Sequence, residues 1–334
     1  MIINTPSRLH LTLIDLNGSC GRIDGGVGIT IRDPELVLRA EPSPNGDQGI
    51  NIHFEDSNNL SESLILDYSQ KIKKSAINTL KYFNIDGGFD FFVEKSYPAH
   101  AGLGSGTQLS LATSKLITDL NDIEVQNTTL GRIVGRGGTS GIGVEAFNHG
   151  GFIVDGGHSK NEKSDFLPSS ASSASPPPVL AHYDFPEDWN IILAIPKLDE
   201  SVSGKKEVNI FQKYCPVPLP EVQKLSHLIL MKMMPAVLEK DIDSFGDALN
   251  QIQIVGFKKK EMDLQNKLIG DILDNMRDAG APGAGMSSFG PTLFAVTKKN
   301  PKTVLNAAKD AMGDQEGIHM ITRAQNTGAR IKVD

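Results

Sequence analysis

Residues 96–117 read SYPAHAGLGSGTQLSLATSKLI. The stretch follows FDFFVE at 89–94, an apolar run with strand composition, and crosses Gly102, Gly104 and Gly106 within five positions. It leaves on an apolar-periodic segment that predicts a helix from Thr107 to Leu120. Glycines without a Cβ let backbone N–H groups turn toward an anion. The first turn of the following helix adds free N–H donors and partial positive charge. Gly102, Leu103, Gly104, Ser105, Gly106, Thr107 and Gln108 are therefore candidate phosphate contacts. No lysine closes the loop as in a Walker A sequence, and GLGSGT lacks GxGxxG spacing. Taken alone, the loop reads equally well as a tight strand–helix turn with packing glycines.

Upstream, residues 7–14 alternate as a half-buried strand, and Val27–Ile31 and Leu36–Ala40 read as strands joined by a turn at Asp33-Pro34. A turn at Asn45–Gly49 and a strand at Ile50–Phe54 follow, then a helix over Leu60–Phe83. A second glycine block, 135–157, contains a helical turn at Gly143–Asn148 and a strand at Gly151–Asp155. Residues 168–178, PSSASSASPPP, are low in complexity and are expected to form a flexible loop. The C-terminal half predicts a strand at Trp189–Ile195 and helices over Val222–Glu239, Ile242–Phe257 and Lys267–Ala279. A third glycine block, Gly283–Gly290, reads as a loop before a strand at Thr292–Val296. A helix over Pro301–Met312 and strands at Gly317–Ile321 and Ala329–Val333 end the chain. This order is α+β, with a boundary near 160–190, and lacks the regular βαβ alternation of a doubly wound sheet.

Other polar groups cluster near these blocks. Arg8 and His10 share one face of the first strand, with Arg22 and Asp24 close behind. Arg136 and Asp155 stand in the second block, and Gly285, Ser287 and Ser288 in the third. An arginine suits forked bonding to phosphate or carboxylate. Each of these residues taken singly also fits an ordinary structural role. Lys258–Lys260 reads as a solvated helix end. Cys20 and Cys215 lack metal or redox spacing and are expected to be reduced thiols. No His, Cys and Asp pattern has metal spacing, so any divalent ion is expected as Mg2+ arriving with a substrate pyrophosphate. The net charge of −7 over 334 residues argues against nucleic-acid or anionic-membrane partners and leaves small-molecule substrates. Neither a leader nor a membrane span is apparent, so a cytoplasmic location is expected.

The blocks together resemble the GHMP kinase superfamily: Pro6-Ser7-Arg8 in the first strand, Pro98–Ser105 ahead of Gly106, and Gly283–Gly290 near the C-terminus. The resemblance implies a two-domain α+β fold. An N-terminal domain like ribosomal protein S5 domain 2 would span residues 1–185, with 168–178 as an insertion, and an α/β domain residues 186–334. Many of these kinases carry Ser-Gly-x-Asp, whose aspartate is the base; here Ser140-Gly-Ile-Gly143 has glycine in that place. Five blocks, at 7–18, 21–31, 101–112, 135–158 and 283–296, look like the β-ribofuranosylaminobenzene 5′-phosphate synthase family of this superfamily. That resemblance implies a decarboxylating phosphoribosyl transfer from 5-phosphoribosyl diphosphate to 4-aminobenzoate or 4-hydroxybenzoate, in tetrahydromethanopterin biosynthesis, chiefly archaeal. It also implies a homodimer. For such chemistry Arg8, Arg22 or Arg136 would clamp the carboxylate, and Asp24 or Asp155 would face the developing cation or hold Mg2+. An ATP-dependent GHMP kinase and a non-catalytic binding protein are the alternatives.

Overall fold

The computed structural model of the chain describes residues 1–44, 49–55, 60–198 and 204–332. Its first half runs β1 (Ile2–Asp15), β2 (Arg22–Pro42), β3 (Ile50–Phe54), α1 (Glu62–Phe83), β4 (Phe89–Lys95), α2 (Ser105–Leu120), α3 (Asn127–Ile133), α4 (Ile142–Asn148), β5 (Phe152–Asp155), β6 (His158–Ser159) and β7 (Val179–Tyr183). The second half runs β8 (Asn190–Pro196), α5 (Lys205–Tyr214), α6 (Leu219–Leu228), α7 (Met234–Glu239), α8 (Ile242–Ile252), α9 (Gly256–Asp263), α10 (Lys267–Asp278), β9 (Gly283–Met286), β10 (Leu293–Thr297), α11 (Pro301–Met312), β11 (Gly317–Arg323) and β12 (Arg330–Lys332).

β1 and β2 form the long antiparallel pair on which the first half is built. Their register runs from Ile2 opposite Arg39 to Asp15 opposite Asp24. β2 is one continuous strand, which corrects the expected turn at Asp33-Pro34. A register shift between Thr5 and Ser7 absorbs the extra β2 residues, so that Leu36 faces Thr5 and Ile31 faces Ser7. β4, β5, β6 and β7 extend this sheet, β3 joins β4 in parallel, and β12 returns from the C-terminus to pair with β1. α1 starts at Ser61, whose hydroxyl accepts from the Leu64 N–H, and ends at Asn84 in the left-handed region. The expected turn at Asn45–Gly49 falls largely outside the described residues.

A four-stranded antiparallel sheet, β11-β8-β10-β9, organises the second half. The run Ile191–Ile195 is buried throughout because β8 is covered on both faces. Ile192 and Ala194 pack with α10 and α11, whereas Ile191, Leu193 and Ile195 join the main apolar cluster. That cluster is continuous across the expected domain boundary, with Leu9, Ile29 and Phe152 of one half and Trp189, Phe245 and Leu249 of the other.

Several expected elements differ. Val222–Glu239 divides into α6 and α7 around a π-helical turn at Ile229–Met233, just before Pro235. Proline has no N–H to donate, and the wider turn carries the helix past it. Ile242–Phe257 is two helices, α8 and α9. Gly283–Met286 is a buried strand rather than a loop, because a Cβ on Gly283 would stand 2.5 Å from the Gly246 Cα and only small residues fit against α8. Lys258 is buried rather than solvated. Residues 168–177 pack against the second glycine block: Pro176 meets Gly137 and Ser172 meets Gly138.

The single tryptophan tests this shared core. Trp189 is fully buried, with ring centroids 5.1 Å from Phe185 and 5.4 Å from Phe245. Trp189→Ala is expected to cost about 3–5 kcal/mol, seen as a lower denaturant midpoint with an unchanged slope.

Candidate active site

The strand–loop–helix of residues 96–117 ends in the αL residue Gly104, and α2 starts at Ser105 without a side-chain cap. The Thr107 N–H donates to the Gly104 carbonyl at 3.0 Å, and the N–H groups of Ser105 and Gly106 are left for a ligand or water. Neighbouring elements staple the loop in place. The Arg8 N–H donates to the Leu103 carbonyl at 3.0 Å, and the Thr292 N–H to the Ala101 carbonyl at 3.2 Å. Ser287 Oγ donates to the Gly102 carbonyl at 2.6 Å and accepts from the His10 N–H at 2.8 Å, while the Ser288 N–H donates to the His10 carbonyl. A Cβ on Gly102 would lie 2.3 Å from the Ser287 carbonyl, with φ at +80°. Side chains therefore cannot enter this crossing.

In front of the loop lies a cavity of about 660 Å³. Its walls include Gly102, Gly104, Ser105, Gly106 and Thr107, and basic groups gather beside them. Arg8 lies along Gly104 and donates to the Gly102 carbonyl, and its Nε is buried without a partner. Burial brings its pKa down to about 10, so it stays cationic at neutral pH. Arg136 reaches Ser110 Oγ, 3.3 Å from Nη2. Arg136 and Lys71 converge on Gly106, where a Cβ would stand 3.5 Å from Arg136 Nη2 and Lys71 Nζ. Among the described residues, neither Arg8 nor Arg136 pairs with a carboxylate, whereas Lys71 holds Asp67 at 2.5 Å. His10 also lines the cavity. Burial, Arg8 and Lys258 together push its pKa well below the usual imidazole range, so it is neutral at pH 7.

The far wall differs in character. Leu13, Phe211 and Phe289 supply apolar surface, and Glu207 and Glu261 supply carboxyl groups. Burial, and next the neighbouring Glu261, raise Glu207 to about 7. Glu261 is raised by burial and paired with buried Lys258, which also donates to the Ser288 carbonyl at 2.9 Å.

A third wall is the serine-rich segment, with Pro168, Ser169, Ser170, Ser172 and Ser173 on the lining. A buried ionic cluster holds it. Lys163 donates to Asp24 Oδ2 at 2.8 Å, the Gly138 carbonyl at 2.8 Å, Thr139 Oγ1 at 3.0 Å and the Leu167 carbonyl at 2.8 Å. His158 bridges Asp24, 2.7 Å from its Nδ1, and the Ser175 carbonyl, 2.9 Å from its Nε2. Burial opposes the charged imidazole, but the Asp24 and Ser175 bonds outweigh it and raise the His158 pKa.

The residues singled out from sequence separate accordingly. Arg8, His10, Arg136, Gly102, Gly104, Ser105, Gly106, Thr107 and Ser288 meet on the cavity. Leu103 is core, Gln108 donates from burial to the Gly143 carbonyl, Gly285 faces the Gln253 amide, and Ser287 is the staple behind the loop. Arg22 donates to the Gly156 and Gly157 carbonyls, and Asp24 belongs to the ionic cluster. Asp155 is buried, raised by desolvation to about 6, and accepts from the Gly141 and Gly157 N–H groups and Ser140 Oγ. None of these three lines the cavity. Sequence reasoning missed Lys71, Asp67, Glu207 and Glu261. They stand on helices with ordinary amphipathic patterns, and no local signal separates them from surface charge. Among the described residues no cluster of three or more His, Cys, Asp or Glu could hold a metal by itself, and no helix is long and apolar enough to cross a membrane.

Residues 70–151 match the family described as GHMP kinases N terminal domain, and residues 233–314 that described as GHMP kinases C terminal. The chain is 58% identical over 98% of its length to a beta-ribofuranosylphenol 5'-phosphate synthase of Methanothermobacter thermautotrophicus, covering 98% of that protein. It is 46% identical over 99% of its length to the enzyme of the same name from Methanocaldococcus jannaschii, covering all 100% of it. The solved L. major mevalonate kinase in complex with R-mevalonate superposes with a TM-score of 0.71 over 97% of this chain and 96% of that one; at 14% identity this likeness concerns the fold alone.

Removing one partner from a buried ion pair leaves an uncompensated charge. Lys163→Met is therefore expected to cost about 3–5 kcal/mol and to speed limited proteolysis within residues 164–177, read by mass mapping of the first cuts.

Proposed function

The chain belongs to the family of these beta-ribofuranosylphenol 5'-phosphate synthases, pentosyltransferases built on the GHMP kinase fold, and on that premise we propose that it joins 5-phosphoribosyl diphosphate to 4-hydroxybenzoate, releasing CO2 and pyrophosphate. The phenol in the relatives' name favours the 4-hydroxy acceptor over 4-aminobenzoate. The pathway would be tetrahydromethanopterin biosynthesis. The observation that carries the reading is one continuous cavity in which unpaired guanidinium groups at the start of α2 face an aromatic wall.

The donor's phosphates suit the glycine loop. The N–H groups of the first α2 turn, Arg136 and Lys71 would hold the pyrophosphate and accept its growing charge as the anomeric C–O bond breaks. Arg8 would clamp the benzoate carboxylate against the loop. The ring carbon bearing that carboxylate attacks the anomeric carbon, and the C–CO2 bond then breaks and returns its electron pair to the ring. No side-chain nucleophile is required. Keeping water from the donor would fall to the cavity walls and the bound acceptor.

Mg2+ fits as a companion of pyrophosphate, since such ions take one or two carboxylates plus phosphate oxygens. Asp67, beside Lys71 and 3.5 Å from His100 Nε2, is the carboxylate on the loop side that would help hold it. When bound, the ion would neutralise the leaving group's charge.

Many kinases of this fold place a base where this chain has Gly143. A Cβ there would lie 3.1 Å from Thr107 Cγ2, so the loop and α4 are fitted to each other without a side chain. The test is release of labelled CO2 from carboxyl-labelled 4-hydroxybenzoate with 5-phosphoribosyl diphosphate and Mg2+. Arg8→Ala and Arg136→Ala are each expected to lower kcat/KM roughly 10²-fold or more. ATP turnover on a small alcohol, without CO2 release, would establish the kinase instead.

A further inference from the structure

Glu207 is a carboxylate the preceding chemistry leaves unused. It stands on α5, half-buried, on the cavity wall it shares with Phe211 and Phe289. Among the described residues it has neither an ion-pair partner nor a hydrogen-bond donor. Its neighbour Glu261, by contrast, is neutralised by Lys258. A half-buried carboxylate without a partner loses solvation that nothing in the protein returns, so a donor on the ligand would complete it. Resting on the acceptor assignment above, we propose that Glu207 accepts the proton of the acceptor's 4-hydroxyl group and thereby sets the preference for a phenol over an aniline.

The layout of the cavity supports the assignment. 4-Hydroxybenzoate is a flat ring with an anion at one end and an O–H at the other. With its carboxylate on Arg8, its ring has Leu13, Phe211 and Phe289 to lie against, and the 4-position turns toward the carboxyl-bearing wall. The step balances. The phenol proton passes to Glu207, and the oxygen pushes an electron pair through the ring as the carbon–carbon bond to ribose forms and pyrophosphate departs. When CO2 leaves, the pair from the broken bond returns through the ring to the oxygen, which regains its proton from Glu207. An aniline nitrogen supplies the same push without losing a proton first, so it depends less on a base.

Among the described residues, the titratable and charged groups around this wall are Glu261 and Lys258 from α9, Arg8 and His10 from β1, and Lys205 and Lys206 on α5 itself. Asp67, Lys71, Lys74 and His100 border the opposite side. Glu207 is a base only when ionised. Because burial and Glu261 raise it to about 7, activity on the phenol is expected to rise with pH through that value.

The experiment measures labelled CO2 release from 4-hydroxybenzoate and 4-aminobenzoate, from about pH 6 to about pH 9, for the unaltered protein, Glu207→Gln and Glu207→Asp, with melting curves as the folding control. Glu207→Gln is expected to lose roughly 10²-fold or more in kcat/KM on the phenol, to flatten its pH profile, and to fall less on the aniline. Glu207→Asp is expected to keep the inflection. If Glu207→Gln retains the inflection and the acceptor preference, or changes only the Mg2+ requirement, the inference is overturned. Failure of the unaltered protein to release CO2 from either acceptor would overturn the acceptor assignment itself, whatever the variants do.

Discussion

One hydroxyl joins the two halves of this protein at its working end. Ser287 Oγ donates to the Gly102 carbonyl and accepts the His10 N–H, so the glycine loop, the first strand and the C-terminal glycine turn meet at a single buried atom. The geometry leaves no room for alternatives, because any side chain at 102 would strike the Ser287 backbone. A loop fixed in this way has its conformation set during folding, so ordering it would add little to the cost of binding a ligand there. Arg8, one strand position pair from His10, shares the same anchoring, since its own N–H holds the Leu103 carbonyl.

Charge is distributed around this junction by what burial permits. Among the described residues, Arg8 and Arg136 beside the loop lack carboxylate partners and remain available to anions, whereas Lys71 is held by Asp67. Cations whose charge is consumed internally serve as struts. Lys258 ties α9 to the turn at Met286–Ser288, and Lys163 ties the serine-rich segment to the second glycine block through Asp24. The strut at Lys163 makes a wall out of a segment too poor in apolar residues to fold on its own. Glycines 137 and 138 give that segment its seat, since prolines and serines lie directly where their Cβ atoms would be.

Much of the architecture could be read from the chain. The strand–glycine–helix order, the amphipathic α10 and α11 and the apolar β8 all carry local periodicities that survive in the structure. Failures fall where distant contacts override local signals. Asp33-Pro34 looks like a turn, but pairing with β1 carries β2 straight through it. Gly283–Met286 looks like a loop, but its small residues are what lets a strand lie against α8. Lys258 sits in a basic triplet, but Glu261 one turn on and the carbonyls of a remote turn draw it inside.

For the site, the sequence determined which groups are candidates to hold an anion: the GLGSG loop, Arg8 and Arg136 stand out because anion binding by backbone amides favours glycines in a turn before a helix. It could not separate Asp24 and Asp155, which are buried in structural networks, from Glu207 and Glu261, which reach the cavity. A carboxylate's residue type is the same in either place. Only the tertiary structure decides whether lysine, backbone N–H or an open cavity faces it, and that surrounding, through desolvation and pairing, decides what the group can do.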